Sequence, residues 1–479
     1  MDPKARRSIP ISMLSYASNQ ALRLVATVVL ARILVPSDFG LFALTSIAIS
    51  LLSIFNDMGV GPALVVARDA DAPTRRTALT LMIIASFVLA AVLIASAPLI
   101  ADFFDEERLD ELLIVVAGSL FLSGPIWFHE TTLQRELEFG KRLATKLVQT
   151  LTYITLALTL AVLDHGVWSL VIAHVASYVT YLAALIAVAN ERVLPGWDGA
   201  AARRLTGSGR GFLAQDTLEY AQQQSDGLAI GAFLGAGQLG YYGMAYRFGE
   251  LTYVGIADPI AQVTFPTFAR MRERGQDWRR SFDAVLRGVA LVSFGIGVLV
   301  SGAAEPLVET LFGDKWLATI GPLSVLGIWA AVKPLESTFG ALLNSLEQQS
   351  RLVFVRGLVT IPLVPGVILA ADHGGITAVA WVMLGHISLA ALAVGLTLRS
   401  RAGVPPGDLV RAIAPLAAGG VAAWAASRGV ATALDDARPF VALVASLASG
   451  LAAYVAALSA IRPGLLPRTV RQAISTVRR

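Results

Sequence analysis

The sequence predicts an all-α polytopic membrane protein of about fourteen transmembrane helices. They are expected as two six-helix lobes related by a pseudo-two-fold axis along the membrane normal, followed by two C-terminal helices. Three observations lead there. Across 479 residues, 55% are hydrophobic and only 15% charged, a balance that two or three soluble domains would not show. Apolar windows of the roughly 20 residues needed to cross a hydrocarbon layer of about 30 Å recur from end to end. Lysine and arginine, finally, are sorted between alternate connections.

The spans read, in order, as 11–34, 40–66, 77–101, 111–134, 143–163, 167–189, 212–235, 239–268, 284–303, 317–345, 352–371, 375–398, 409–427 and 439–461. The first follows "MDPKARRSIP", which imitates a secretory leader; Arg23 in mid-segment and the lack of a small-residue cleavage site favour an uncleaved helix. Most basic residues fall on the side of the N-terminus, including Arg270, Arg272, Arg274, Arg279, Arg280 and Arg287 in one connection and Arg462, Arg468, Arg471, Arg478 and Arg479 in the tail. The opposite side holds Arg32, Arg108, Lys315, Arg428 and Arg438, while Arg23, Arg247 and Lys333 fall inside spans. Both termini of this multi-pass cell-membrane protein are therefore expected in the cytoplasm. The net charge of +4 is an orientation signal, and no nucleic-acid partner is inferred from it. Cysteine is absent, which removes disulfides and thiolate metal sites.

The seventh span contains "QDTLEYAQQQSD", Gln215 to Asp226, too polar for an ordinary crossing. Were it a loop, the helix from Gly227 to the turn at Gly237 would be too short to cross by a factor of about two. The connection rich in arginine would then also move to the outer side. As a helix, its Gln215/Asp216, Glu219, Gln222/Gln223 and Asp226 recur at spacings of three and four and form one polar face. Such a face is expected to line a water-filled pathway, because ionisable groups in lipid cost a few kcal/mol each. Similar stripes are Tyr16, Asn19/Gln20, Arg23 and Thr27 on the first helix, and Ser46, Ser50, Ser53 and Asp57 on the second. Ser123, Glu130 and Gln134 follow on the fourth, Tyr246/Arg247, Glu250 and Asp258 on the eighth, and Lys333, Glu336/Ser337 and Asn344 on the tenth.

An internal repeat divides the chain. "LVPSDFGLFAL" from Leu34 and "LGAGQLGYYGM" from Leu234 correspond at an offset of 200, and the Asp-His-Gly turns at Asp164 and Asp372 at an offset of 208. The expected organisation is 1–189 for the N-terminal six-helix lobe, 190–211 for a cytoplasmic interlobe linker, 212–400 for the second lobe, and 401–479 for two extra helices and a basic tail. Catalytic motifs are missing. "GAGQLG" has the dinucleotide spacing but no preceding strand, no phosphate loop occurs, and His129, His165, His174, His373 and His386 contain no zinc-type pair. A transporter, not an enzyme, is expected, without metal or cofactor beyond a coupling Na⁺ or H⁺.

"VVLARILVPSDFGLFALTSIAISLLSIFNDMGVGPALV", with "TTLQRELEFGKRLATKLV" further on, resembles the oligosaccharide flippases of bacterial polysaccharide synthesis. Their superfamily also contains lipid II flippases and multidrug extruders. The resemblance implies V-shaped paired lobes that rock to expose a cavity alternately to each side. It also implies an oligosaccharide on a polyprenyl diphosphate as cargo, with membrane lipids and polysaccharide polymerase or assembly proteins as partners. Arg23 is similar in placement to a first-helix cavity arginine of lipid II flippases, and Arg247 lies at corresponding depth.

Such a cargo needs cations at its phosphates and hydrogen-bonding groups around its sugars. Arg23, Arg247 and Lys333 are the candidate cations; Asn19, Gln20, Gln222, Gln223, Tyr246 and Asn344 are candidates for the glycan. Asp216, Glu219, Asp226 and Asp57 are the candidate cation-coupling residues. The rival expectation, a cation-coupled exporter of amphipathic drugs, draws on the excess of acids over cations within the helices.

Overall fold

The computed structural model describes residues 19–54, 60, 64, 71–136, 138–190, 193–207, 210–273 and 277–461, with 206–216 and most of 251–273 given by backbone only. Among the described residues the chain is all-α, in keeping with about fourteen transmembrane helices. The limbs are α1 (19–33), α2 (Pro36–Ser53), α3 (Ala72–Phe104), α4 (Arg108–Arg135), α5 (Phe139–Val162) and α6 (Val167–Val188). Helix Arg210–Glu273 bends at Gly235 into α7 and α8. Then come α9 (Trp278–Gly302), α10 (Ile320–Ser345), α11 (Gln349–Thr360, continued to a bend at Gly375), α12 (from that bend to Ala402), α13 (Pro406–Ala433) and α14 (Pro439–Ile461). Ten stretches among the described residues are long and apolar enough to cross a membrane. The polar α7 is not among them, yet its stretch from Gln215 to Asp226 is helical throughout.

Local chemistry sets the helix starts. In α2, Pro36 stands in the first turn, where its missing N–H costs nothing, and the Asp38 carboxylate accepts from the Val35 N–H at 3.2 Å. Asp71 caps α3 by accepting from the Thr74 N–H at 3.1 Å. The bend between α7 and α8 lies at Gly235 (φ 80°), two residues before the expected turn at Gly237; only glycine adopts that backbone without strain. Counting back by the repeat offset of 200 leads from Gly235 to Val35, which ends the first helix pair's turn.

Contacts group the chain into two compact units, Met1–Gly240 and Tyr241–Arg479. In the first, α3 packs along α4 and α5 along α6, with α4 against α6. Its interior includes Val60, Leu64, Leu79, Met82 and Phe128, and beside them Ile126, Leu133, Tyr181 and Leu185. α7 packs here as well: the Tyr220 hydroxyl donates to the Ile47 carbonyl at 3.2 Å. The stretch expected as a linker contains a short helix, Gly199–Gly207, and is held to α3. Gly196 N–H donates to Thr80 Oγ1 and Asp198 N–H to Thr77 Oγ1, each at 2.9 Å.

Two glycines give the first unit its tightest crossing. A Cβ at Gly40 would meet the Ala236 carbonyl at 1.7 Å, and one at Gly240 the Pro36 carbonyl at 1.8 Å. The contact is reciprocal at the repeat offset of 200, so α2 and the start of α8 meet about a local two-fold. In the second unit α9 packs on α10 and α13, and α13 on α14. The two appended helices are anchored there by Tyr454 Oη donating to the Leu291 carbonyl at 2.8 Å and by Trp424 Nε1 donating to Ser301 Oγ at 3.1 Å.

Candidate functional site

α5 begins with a polar face. Arg142, Lys146 and Gln149 follow one another at spacings of four and three, so they stack on one side of the helix. α6 carries His174, Tyr178 and Tyr181 at the same spacings. The two faces meet where the Lys146 ammonium lies 4.8 Å from the Tyr181 ring centroid. α4 contributes Glu130, whose carboxylate accepts a short hydrogen bond from the Tyr181 hydroxyl. Arg142 Nη2 approaches the same carboxylate at 3.9 Å and Lys146 Nζ at 4.0 Å.

Glu130's side chain is 12% exposed, and those of Arg142 and Lys146 are 40% and 44% exposed. The carboxylate is thus the inner member of the group. Arg23 of α1 completes it, close enough to act electrostatically on Lys146, His174 and Tyr178. The His174 ring lies 4.7 Å from that of Tyr178, and its buried Nε2 has no hydrogen-bond partner among the described residues. The same holds for the buried Oε1 of Gln149 and Oδ1 of Asn19. Arg23, Arg142 and Lys146 thus gather beside one carboxylate within membrane-spanning helices, with polar atoms left without partners among the described residues.

The second unit has a related group. On α10, Lys333 and Glu336 are one turn apart; Glu336 accepts from Arg356 Nε of α11 at 2.8 Å, and His386 of α12 feels both Lys333 and Glu336. Each unit therefore has a carboxylate on the fourth helix of its repeat, a cation on the fifth and a histidine on the sixth. Glu336 is 3% exposed and matched by one tight guanidinium, so this group is closed where the first is open.

The residues singled out from sequence distribute as follows. Asn19 is buried, Gln20 half-buried and Arg23 exposed on α1. Glu219 and Gln223 are exposed on α7 and bonded to each other at 2.9 Å, Gln222 is half-buried, and Asp226 is buried, accepting from its neighbour's Gly227 N–H at 2.8 Å. The expected stripe thus runs from an exposed beginning to a buried end. Arg247 and Tyr246 belong to the second unit; Tyr246 stands with its ring 5.4 Å from Trp329 and 6.3 Å from Tyr242. Lys333 is half-buried and Asn344 exposed. Asp57 and the side chain of Asp216 lie outside the described residues.

Sequence reasoning placed Arg142 and Lys146 among the cytoplasmic charges and so missed them. Lys146 lies a full turn and more inside the span Gly140–Val162. The signal was present in its spacing to Arg142 and Gln149, the same regularity that exposed the other stripes.

Comparison with known proteins agrees with this fold. Solved structures include a lipid II flippase, MurJ, in an inward closed conformation, which aligns over 95% of this chain and 99% of its own with a TM-score of 0.78 at 13% identity. Among characterised sequences, the teichuronic acid biosynthesis protein TuaB of Bacillus subtilis is 26% identical over 330 residues, 68% of each chain. The succinoglycan biosynthesis transport protein ExoT of Rhizobium meliloti is 26% identical over 350 residues, 71% of this chain and 69% of its own. The family described as "Polysaccharide biosynthesis protein" matches residues 29–321, which contain Glu130, Arg142 and Lys146, α2 to α9 entire and the bend at Gly235. With well over half of its length inside that match, the chain belongs to the polysaccharide biosynthesis protein family, among membrane proteins of the flippase type.

Proposed function

We propose that this protein flips a polyprenyl-diphosphate-linked oligosaccharide across the cytoplasmic membrane by alternating access, with both termini in the cytoplasm. The observation that carries the reading is the gathering of Arg142 and Lys146 at one carboxylate, Glu130, with Arg23 acting on Lys146 beside them. Cations are expensive within a bilayer and are kept there for a partner of opposite charge. A diphosphate is such a partner, and arginine forks suit its oxygens. Family membership and the flippase-like fold support the same cargo class. Asn19, Gln20, Gln222, Gln223, Tyr246 and Asn344 would serve the glycan, and Arg247 and Lys333 are further proposed substrate-binding cations. Asp216, Glu219, Asp226 and Asp57 are the proposed holders of a coupling Na⁺ or H⁺, whose differential affinity for two states would bias their equilibrium.

The test is transport in proteoliposomes with a fluorescent lipid-linked oligosaccharide. Arg23→Ala should reduce flipping to background with folded protein still in the membrane, and Arg23→Lys should retain a fraction, because charge survives but the bidentate fork does not. Full transport by Arg23→Ala would overturn the role of the arginine. Export of amphipathic drugs without any flipping of the lipid-linked sugar would overturn the function.

A further inference from the structure

We infer that Glu130 is an internal stand-in for the ligand's phosphate: it occupies Arg142 and Lys146 when the site is empty and yields them when a diphosphate arrives. The inference rests on the flippase reading for the identity of the cargo, but its physical basis is independent of transport. Two cations lie at 3.9 and 4.0 Å from one carboxylate, the outer edge of ion pairing, and a third cation, Arg23, stands beyond it. A lone monovalent carboxylate cannot neutralise three cations. A ligand carrying two or more negative charges can, and would replace it at lower electrostatic cost.

The Tyr181 hydroxyl makes the exchange reversible. It donates to Glu130 from the α6 side, while the cations approach from α5. When phosphate takes the cations, the carboxylate keeps one strong hydrogen bond and is not left unsatisfied in a membrane interior. Release then reverses the steps, with Glu130 returning to Arg142 and Lys146 and so lowering the ligand's hold. Without such a competitor, three clustered cations within membrane-spanning helices would hold a diphosphate more tightly and release it more slowly. Glu130 is thus a positioning residue that sets affinity and release, and it need not touch the cargo.

The second unit provides a control within the same molecule. Glu336 and Arg356 form a tight pair at 2.8 Å with the carboxylate 3% exposed, in contrast to the 3.9 and 4.0 Å approaches to Glu130. Removing Glu336 should loosen the fold without improving ligand binding.

The experiment uses the full-length protein in nanodiscs and inorganic pyrophosphate as probe, with binding followed by calorimetry and stability by thermal melting. Glu130→Gln should bind pyrophosphate about tenfold more tightly than wild type, the size of an ordinary coupling between sites. Tyr181→Phe should bind it more weakly, because the carboxylate then rests wholly on the cations. Arg142→Ala with Lys146→Ala should weaken binding further, and Glu336→Gln should lower the melting temperature with no gain in affinity. A second arm compares nanodiscs containing polyprenyl diphosphate with nanodiscs of phosphatidylglycerol. Competition with pyrophosphate by the first alone identifies the lipid diphosphate as the natural source of the anion; competition by the second alone makes the site one for a phospholipid headgroup and overturns the cargo assignment.

In the flipping assay Glu130→Gln should show a lower half-saturating substrate concentration together with slower maximal flipping. Unchanged or weaker pyrophosphate binding by Glu130→Gln overturns the inference even if the wild type flips its substrate. Tighter binding in a protein that flips no lipid-linked sugar sustains the inference and refutes the flippase reading. A merely structural Glu130 would shift melting alone and would not drive Glu130→Gln and Tyr181→Phe in opposite directions.

Discussion

Glu336 and Glu130 occupy matching places in the two repeats, yet substitution at each should be felt differently. Glu336 is buried with Arg356 as its direct partner, so Glu336→Ala strands a guanidinium in a poorly solvated place. The expected cost is roughly 3 kcal/mol, typical for breaking a buried pair, and should appear as a lower melting temperature in detergent. Replacing Glu336 and Arg356 together with leucine and methionine should recover much of it, since no charge then remains unpaired. Equal melting of the single and double variants would refute this account. The sequence already presented both glutamates on polar stripes. It could not tell that one is closed by a guanidinium from the next helix and the other shared between Arg142 and Lys146, because partners on separate helices have no fixed spacing along the chain.

At the scale of elements, the crossing of α2 and α8 is the least forgiving contact described. Gly40→Ala and Gly240→Ala each place a methyl carbon under 2 Å from a backbone carbonyl, which no rotamer change can relieve. Either should lower membrane yield and melting temperature strongly, whereas alanine at Gly237, which meets nothing within 4 Å, should be tolerated. The start of α3 depends instead on a capping charge. The side-chain and backbone bonds to Thr74 hold the Asp71 carboxyl below its usual range, helped by Arg204 and Arg75. A carboxyl depressed in the folded state stabilises it above the unfolded value of 3.8 and ceases to as pH falls through the lower, folded value. Amide exchange at Thr74 should therefore quicken only in strong acid in the wild type, and should already be fast at neutral pH in Asp71→Ala. The repeat in the sequence located both turns of the α2 and α8 crossing. Its shift from Gly237 to Gly235 followed from φ, since the three glycines of "GAGQLG" are equally permissive on paper and only Gly235 has a positive φ.

For the whole molecule, the orientation inferred from basic residues makes a direct claim about accessibility. The native chain has no cysteine, so single introduced cysteines report cleanly. Cysteine in the stretch 193–198 should react with an impermeant maleimide only from the cytoplasm, and cysteine at Asp164 or Asp372 only from outside. Labelling of both Asp positions from the cytoplasm would reverse the topology. The stretch 193–198 should label slowly despite its length, because its backbone is bonded to Thr77 and Thr80 of α3.

By itself the sequence determined the class, the number of crossings, the helical state of "QDTLEYAQQQSD", and the repeat, because hydropathy, charge sorting and helical periodicity are sums over local residues that hold whatever the neighbours are. The family could also be read from contiguous motifs. Only the tertiary structure decided which charges meet: that Lys146 and Arg142 turn inward to Glu130, that Tyr181 supplies the opposing hydrogen bond, and that Asp226 is buried while Glu219 is not. Those relations join helices separated by loops, and the energy of a charge inside a membrane depends on its partners across such gaps more than on its own neighbours in the chain.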